Sequence, residues 1–309
     1  MKLVNDAKPT IRRLLRRPPL LSIVLIAFNM KRELRNTLRS LSASYQQDVS
    51  GSVYEVIVVD NGSLPELNPS VLDECEGVKC HWIRVPPGNV SPCAAVNLAV
   101  ASAHAQFVCV MVDGARMLSP GVVVNMIRAQ KLFPNCFVTT LGWHLGDEPQ
   151  NISMMKGYNQ KVEDLLLSTI DWQKNGYTLF SNSCLALSCA DGWFSSINES
   201  NCFALPTKSF IELGGFDERF KSPGGGIVNF DFFRRVVESG KFVPVMLLGE
   251  GSFHQFHGGV ATNVPMQAHP WSDFHDEYRS IRGCDYQTPK FKPFYLGSLP
   301  SEARIFLSS

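Results

Sequence analysis

The sequence predicts an α/β chain with a mostly parallel central sheet, helices on its faces and a small antiparallel extension. Three observations carry this. Leu20–Phe28, Val53–Val59 and Gln106–Val112 are short, nearly continuous apolar runs, as expected of strands covered on both faces. Helix-length segments with apolar residues three or four apart separate them. Each run ends at a polar residue, Asn29, Asp60 or Asp113, and ligands of doubly wound sheets bind beyond the carboxyl ends of the strands.

Taken in order, Leu20–Phe28 is the first strand. Asn29 is expected to cap a helix reaching about Ser42, with Leu34, Leu38 and Leu41 on one face. Val53–Val59 is the second strand, closed by the turn Asp60-Asn61-Gly62-Ser63, and Lys79–Val85 is the third. Ser91–His104 reads as a helix of small residues that can lie close to a sheet. Gln106–Val112 is the fourth strand. Ser119-Pro120 supplies an N-cap and first-turn proline for the next helix, and Cys136–Leu141 is the fifth strand. Gly142–Ser200 has little periodicity beyond a helix over about Gln160–Gln173. Asn201–Leu205 is a strand, Thr207 caps a helix ending at Gly214-Gly215, Asn229–Ser239 is a helix and Phe242–Leu248 a strand. Pro223-Gly224-Gly225-Gly226 is expected to form a lid.

The chain has 309 residues, 45% hydrophobic, and a formal charge of +1, so it buries a large core and carries no global field for nucleic acid. Neither GxGxxG after the first strand nor GxxxxGK[ST] is present, which argues against a dinucleotide or P-loop enzyme. The longest apolar run, Leu20–Phe28, is far short of the ~20 residues of a membrane span. Basic residues cluster at the start: Lys2, Lys8, Arg12, Arg13, Arg16 and Arg17 stand against Asp6. This is either a solvated tail or a weak peripheral anchor on an anionic membrane. The nine cysteines form no CxxC pair and several lie in apolar runs, so reduced thiols and a cytoplasmic location are expected, peripheral to the inner face of the membrane if the basic tail is an anchor.

Four segments in order resemble family 2 glycosyltransferases and their GT-A (Rossmann-like) relatives. They are Ser22–Asn29, Glu55–Ser63, Ala94–Ala99 followed by Val112-Asp113, and Gly214–Glu218 with Asn229-Phe230-Asp231. The last also resembles the acceptor-side segment of polypeptide N-acetylgalactosaminyltransferase-like enzymes. The resemblance implies a basic tail over 1–19 and a GT-A domain over 20–265. That domain divides into a nucleotide-sugar half (20–140) and an acceptor half (141–265), and a C-terminal extension follows over 266–309. The implied activity is transfer of a sugar from a UDP- or GDP-linked donor to a hydroxyl of a glycan, lipid-linked sugar or polysaccharide, with inversion.

By the same resemblance, Ala27, Phe28, Asn29, Asp60, Asn97, Asp113, Ala115 and Arg116 contact the donor, Asp60 through the nucleotide base. Asp113 with His254 or His257 would hold Mn²⁺ or Mg²⁺, which neutralises the departing diphosphate. Asp231 is the expected base, with Asn229 as the alternative occupant of that position. Asp217, Glu218 and Trp143 are expected on the acceptor side, although Trp143, Trp172 and Trp193 are equally core residues in composition. The sequence departs from the family at Ala115, where the metal motif has its second carboxylate, and at Val228-Asn229, where the family has Glu-Asp. Those departures imply weak or absent metal dependence, with Arg116 assisting. They also support a rival reading: a degenerate protein that binds nucleotide sugar or glycan without transfer.

Overall fold

A computed structural model describes residues 17–307, so the basic stretch and its suggested membrane contact lie outside the described residues apart from exposed Arg17. The first half alternates strand and helix: β1 (Leu21–Ala27), α1 (Lys31–Ser40), β2 (Tyr54–Asp60), β3 (Lys79–Arg84), α2 (Cys93–Ala101) and β4 (Phe107–Met111). Every residue of β1, β2 and β4 is buried, which is why these strands read as continuous apolar runs. Then come β5 (Arg116–Leu118), α3 (Val122–Leu132), β6 (Cys136–Leu145), α4 (Gln150–Ser153), α5 (Gln160–Thr169), β7 (Ser183–Leu185) and β8 (Cys202–Pro206). The chain ends with α6 (Thr207–Glu212), α7 (Val228–Glu238), β9 (Val243–His254), α8 (Trp271–Arg282) and β10 (Phe294–Gly297).

One sheet runs in the order β10-β9-β6-β8-β4-β1-β2-β3, with β5 on β9 and β7 on β6. The β4-β1-β2-β3 block is parallel, as are β6-β9 and β9-β10. β8 is antiparallel to both β4 and β6 and joins the two blocks. This is the expected GT-A architecture. β10 shows that the stretch expected as a C-terminal extension completes the edge of the same sheet. Separate apolar clusters cover the two faces: Leu34, Leu38 and Leu41 of the α1 segment on one, Ala95, Val96 and Ala99 of α2 on the other.

Three expected caps fail for local reasons. Asn29 does not cap α1: it adopts φ +55°, and its Oδ1 accepts the N–H of Leu64 instead. Ser119 does not cap α3, which starts after Gly121, because its hydroxyl donates to buried Glu250. Thr207 is the first residue of α6, and its hydroxyl donates to the Ala105 carbonyl. Among the described residues no helix is long and apolar enough to cross a membrane. All nine cysteines are free thiols.

Candidate functional site

The carboxyl ends of β1, β2 and β4 form one edge. Ala27 is in register with Asp60, and the N–H of Gly114 donates to the Ile26 carbonyl at 2.7 Å. A side chain at position 114 would put its Cβ 2.7 Å from that carbonyl oxygen, so only glycine lets the loop bearing Asp113 close onto β1. Asp60 is fully buried; it accepts the Ser63 N–H and a guanidinium N–H of Arg84, both at 2.9 Å. Phe28 and Asn29 are exposed at the mouth of this edge.

His254 ends β9 and is in register with Arg116 of β5. It meets Asp113 across the edge. His254 Nε2 lies 3.0 Å from Asp113 Oδ2 and 3.2 Å from His257 Nε2, and His257 Nε2 lies 3.4 Å from Asp113 Oδ2. Adjacent ligand atoms around an octahedral ion with bonds near 2.1 Å stand about 3 Å apart, so this triangle fits a divalent cation. A donor set of one carboxylate and two imidazoles can hold a divalent ion but does not by itself select which one. The surroundings prepare His254 for the role. Its Nδ1 faces the Gln150 side-chain oxygen at 2.8 Å, an acceptor, so the ring proton sits on Nδ1 and Nε2 keeps its lone pair. Burial pushes His254 down to about 4, against the pull of Asp113, so the ring is neutral near neutral pH. Burial alone would raise the Asp113 carboxyl, but His257 and His254 outweigh it and hold it well below the usual carboxylate range. Burial lowers His257, yet Asp113 outweighs this and leaves it raised.

The loop carrying His257 is tied down at each step. Gln255 donates to the Glu33 carbonyl and Thr37, Phe256 N–H donates to Glu163, and Asn263 Oδ1 accepts three successive N–H groups from His257 to Gly259.

Ala115 is fully buried, its N–H donating to Asp113 Oδ1. His254 and His257 stand where they could supply donors that Ala115 cannot. Arg116 is 5% exposed, and its Nε and Nη1 have no hydrogen-bond partner among the described residues. A buried guanidinium left this way is poised to take an anion.

Next to Arg116 lies a residue that sequence reasoning missed. Glu199 is 4% exposed; Ser188 donates to its Oε1 and Asn229 Nδ2 to its Oε2, at 2.7 and 3.0 Å. Burial raises its pKa, against Ser188, Arg116 and Asn229. Asn229 also donates to Asn201, whose carbonyl accepts the N–H of Val112, next to Asp113.

Asp231 lies elsewhere. Residues two apart on a helix do not share a face. Asp231 is 1% exposed, with one oxygen accepting from Arg282 and the other from Arg282 and Arg235. Both of its oxygens are engaged by guanidiniums, an arrangement of a structural ion pair in place of the expected open base position. Asn97 also stands apart from Asp60 and Asp113: its amide donates to the Phe216 carbonyl and Glu218 and accepts the Phe216 N–H. Asn97, Asp217 and Glu218 instead line a cavity of about 340 Å³ with Arg235 and Arg282. Asp217 is ion-paired to Arg219 and Arg282 there. Trp143 is fully buried in contact with Phe180, Trp193, Phe253 and Phe306, so it is core and offers no face to an acceptor.

The sheet order and its flanking helices are a fold of the GT-A type. Residues 22–114 match the family model described as Glycosyl transferase family 2. The match covers this segment, less than half of the chain, and stops short of the Gly214–Asp231 segment. No curated protein matches in sequence. Among solved structures, S. aureus TarS 1-349 in complex with UDP-GlcNAc is 13% identical with a TM-score of 0.54, over 84% of this chain and 65% of that one. S. aureus TarS is 14% identical with a TM-score of 0.52, over 84% of this chain and 38% of that one. The chain thus spans less than two thirds of either relative, and the likeness is one of fold.

Proposed function

We propose that the chain transfers a sugar from a nucleotide-sugar donor, UDP- or GDP-linked, to a hydroxyl of a glycan, lipid-linked sugar or polysaccharide, with inversion. The observation that carries this is the Asp113–His254–His257 triangle beside the unpartnered guanidinium of Arg116, at the carboxyl edge of a family 2-like sheet. Asp113, His254 and His257 would hold Mn²⁺ or Mg²⁺, and the ion supplies Lewis-acid neutralisation of the diphosphate. Arg116, through its unpartnered Nε and Nη1, binds the diphosphate oxygens. Asp60 and the mouth formed by Phe28 and Asn29 take the nucleoside. In this reading Glu199 removes the proton of the acceptor hydroxyl at a carboxylate oxygen, and Asn229 and Ser188 orient it. Its burial gives it the proton affinity a base needs. TarS bound to UDP-GlcNAc supports a nucleotide-sugar donor on this fold.

The test is a panel of UDP and GDP sugars with Mn²⁺, read as nucleotide diphosphate release with and without glycan acceptors. Release in the wild type that drops in Glu199→Gln, with donor affinity retained, is the expected result. A second reading, binding without transfer, is favoured by Asn229 standing where the family has its base. Donor binding in the wild type with no release under any condition would select it.

A further inference from the structure

The opposite edge of the sheet holds a second convergence of metal-ligating atoms, one that the transfer reaction does not use. Glu55 is the second residue of β2, near its amino end, and only 1% exposed. Its Oε2 lies 3.1 Å from His81 Nε2 on β3 and 3.1 Å from His104 Nδ1, in the connection between α2 and β4. The three donor atoms all lie within 4.8 Å of one another, and the two rings stack with centroids 5.2 Å apart.

We propose that Glu55, His81 and His104 form a second metal site, for a borderline divalent ion of the Zn²⁺ type. Two imidazoles and one carboxylate are the three-protein-ligand set that Zn²⁺ accepts, with a further position left to water. No substrate phosphate is expected at this edge to complete the oxygen shell that hard Mg²⁺ or Ca²⁺ would need. The carboxylate is built in. Glu55 Oε1 accepts the Ser22 hydroxyl at 2.7 Å and the His104 N–H at 2.9 Å, which fixes its orientation and leaves Oε2 toward the rings. Lys79, the cross-strand neighbour of Glu55, forms no ion pair with it among the described residues. The buried carboxylate therefore has no permanent cation beside it, and a bound ion would supply one. The His81 and His104 side chains are 30% and 55% exposed, which gives the ion a way in. Bound there, it would tie β2, β3 and the α2–β4 connection together.

Zn²⁺ titrated calorimetrically into the full-length Asp113→Ala/His257→Ala protein, which lacks the other triangle, tests this. One Zn²⁺ per chain is expected. Adding His81→Ala or His104→Ala should weaken binding by at least about tenfold, because a direct ligand is lost. No binding in the double variant overturns the proposal. So does binding that neither histidine substitution changes, which would place the ion elsewhere, such as on surface thiols. A readout that needs no variant is the ring proton resonances of the wild type under Co²⁺. Paramagnetic shift or broadening of the His81 and His104 rings is expected, and unperturbed rings at saturating Co²⁺ refute the site even if a substituted protein fails to fold.

Discussion

The two ends of the sheet carry the same three side-chain types in different surroundings. At the carboxyl edge, Asp113, His254 and His257 are enclosed: the His254 side chain is 1% exposed and that of His257 12%. Gln150 fixes the His254 tautomer. At the amino edge, Glu55 is as buried, but neither His81 Nδ1 nor His104 Nε2 has a hydrogen-bond partner among the described residues, so no outer hydrogen bond orients those rings toward an ion. Outer hydrogen bonds prepare a ligand for its ion. On the proposals above, the first triangle would suit a cation that stays in register with a substrate, and the second one that exchanges with solvent.

The sharpest break in this comparison comes from Asp113→Ala. If the carboxyl-edge ion stabilises the leaving diphosphate by several kcal/mol, transfer should fall on the order of a thousandfold with Mn²⁺ present. Undiminished turnover would make the two triangles equals and remove the metal from the reaction. Next in size is Arg116→Ala, where losing hydrogen bonds of ~1.5–3 kcal/mol to a charged partner should weaken nucleotide diphosphate binding roughly 10- to 150-fold in calorimetry. Unchanged affinity would leave the buried guanidinium without a role. Gln150→Ala should weaken Mn²⁺ at the carboxyl edge by roughly 10- to 100-fold while leaving Zn²⁺ at the amino edge as in the wild type. Equal effects at both edges would erase the distinction drawn from tautomer locking.

The smallest effect concerns two buried carboxylates with opposite shifts. For Glu55, burial is outweighed by Ser22 and His104, so its folded pKa is lowered. Its stabilisation is present above the ordinary carboxylate pKa and is lost as pH falls through the folded value. For Glu199 burial wins and the folded pKa is raised. Its contribution is complete below the ordinary pKa and is lost as pH rises through the folded value. Denaturation midpoints across pH should therefore lose part of their acid-side slope in Glu55→Gln and part of their slope above the ordinary carboxylate range in Glu199→Gln. The same slope change in both variants would contradict the assignment.

How much of this was legible in the sequence follows from where the information lies. Strands buried on both faces announce themselves as apolar runs, so β1, β2 and β4 and the polar residues that end them could be read directly. The His254–His257 spacing could be read too, but whether those rings meet Asp113 depends on β9 running on to His254, well past the expected end at Leu248. Glu199 was hidden in an aperiodic stretch. The available signal was its place in Asn198-Glu199-Ser200-Asn201, just before a strand antiparallel to β4, which puts a strand's beginning beside its neighbour's carboxyl end. Asp231 misled because charge and helix position are visible in sequence, whereas Arg282, fifty-one residues away, is not visible as its partner. Trp143 misled because an aromatic in a polar context reads the same whether it faces a sugar or Phe180.

Arg116 and His254 are directly opposed rungs of one antiparallel ladder. Their backbones are therefore held about one strand spacing, ~4.8 Å, apart by main-chain hydrogen bonds. In the proposed reaction, an anion hook and a cation cage mounted on the same rung would act as a calliper for a linked pair of phosphates, and a donor carrying a single phosphate would meet one jaw without reaching the other.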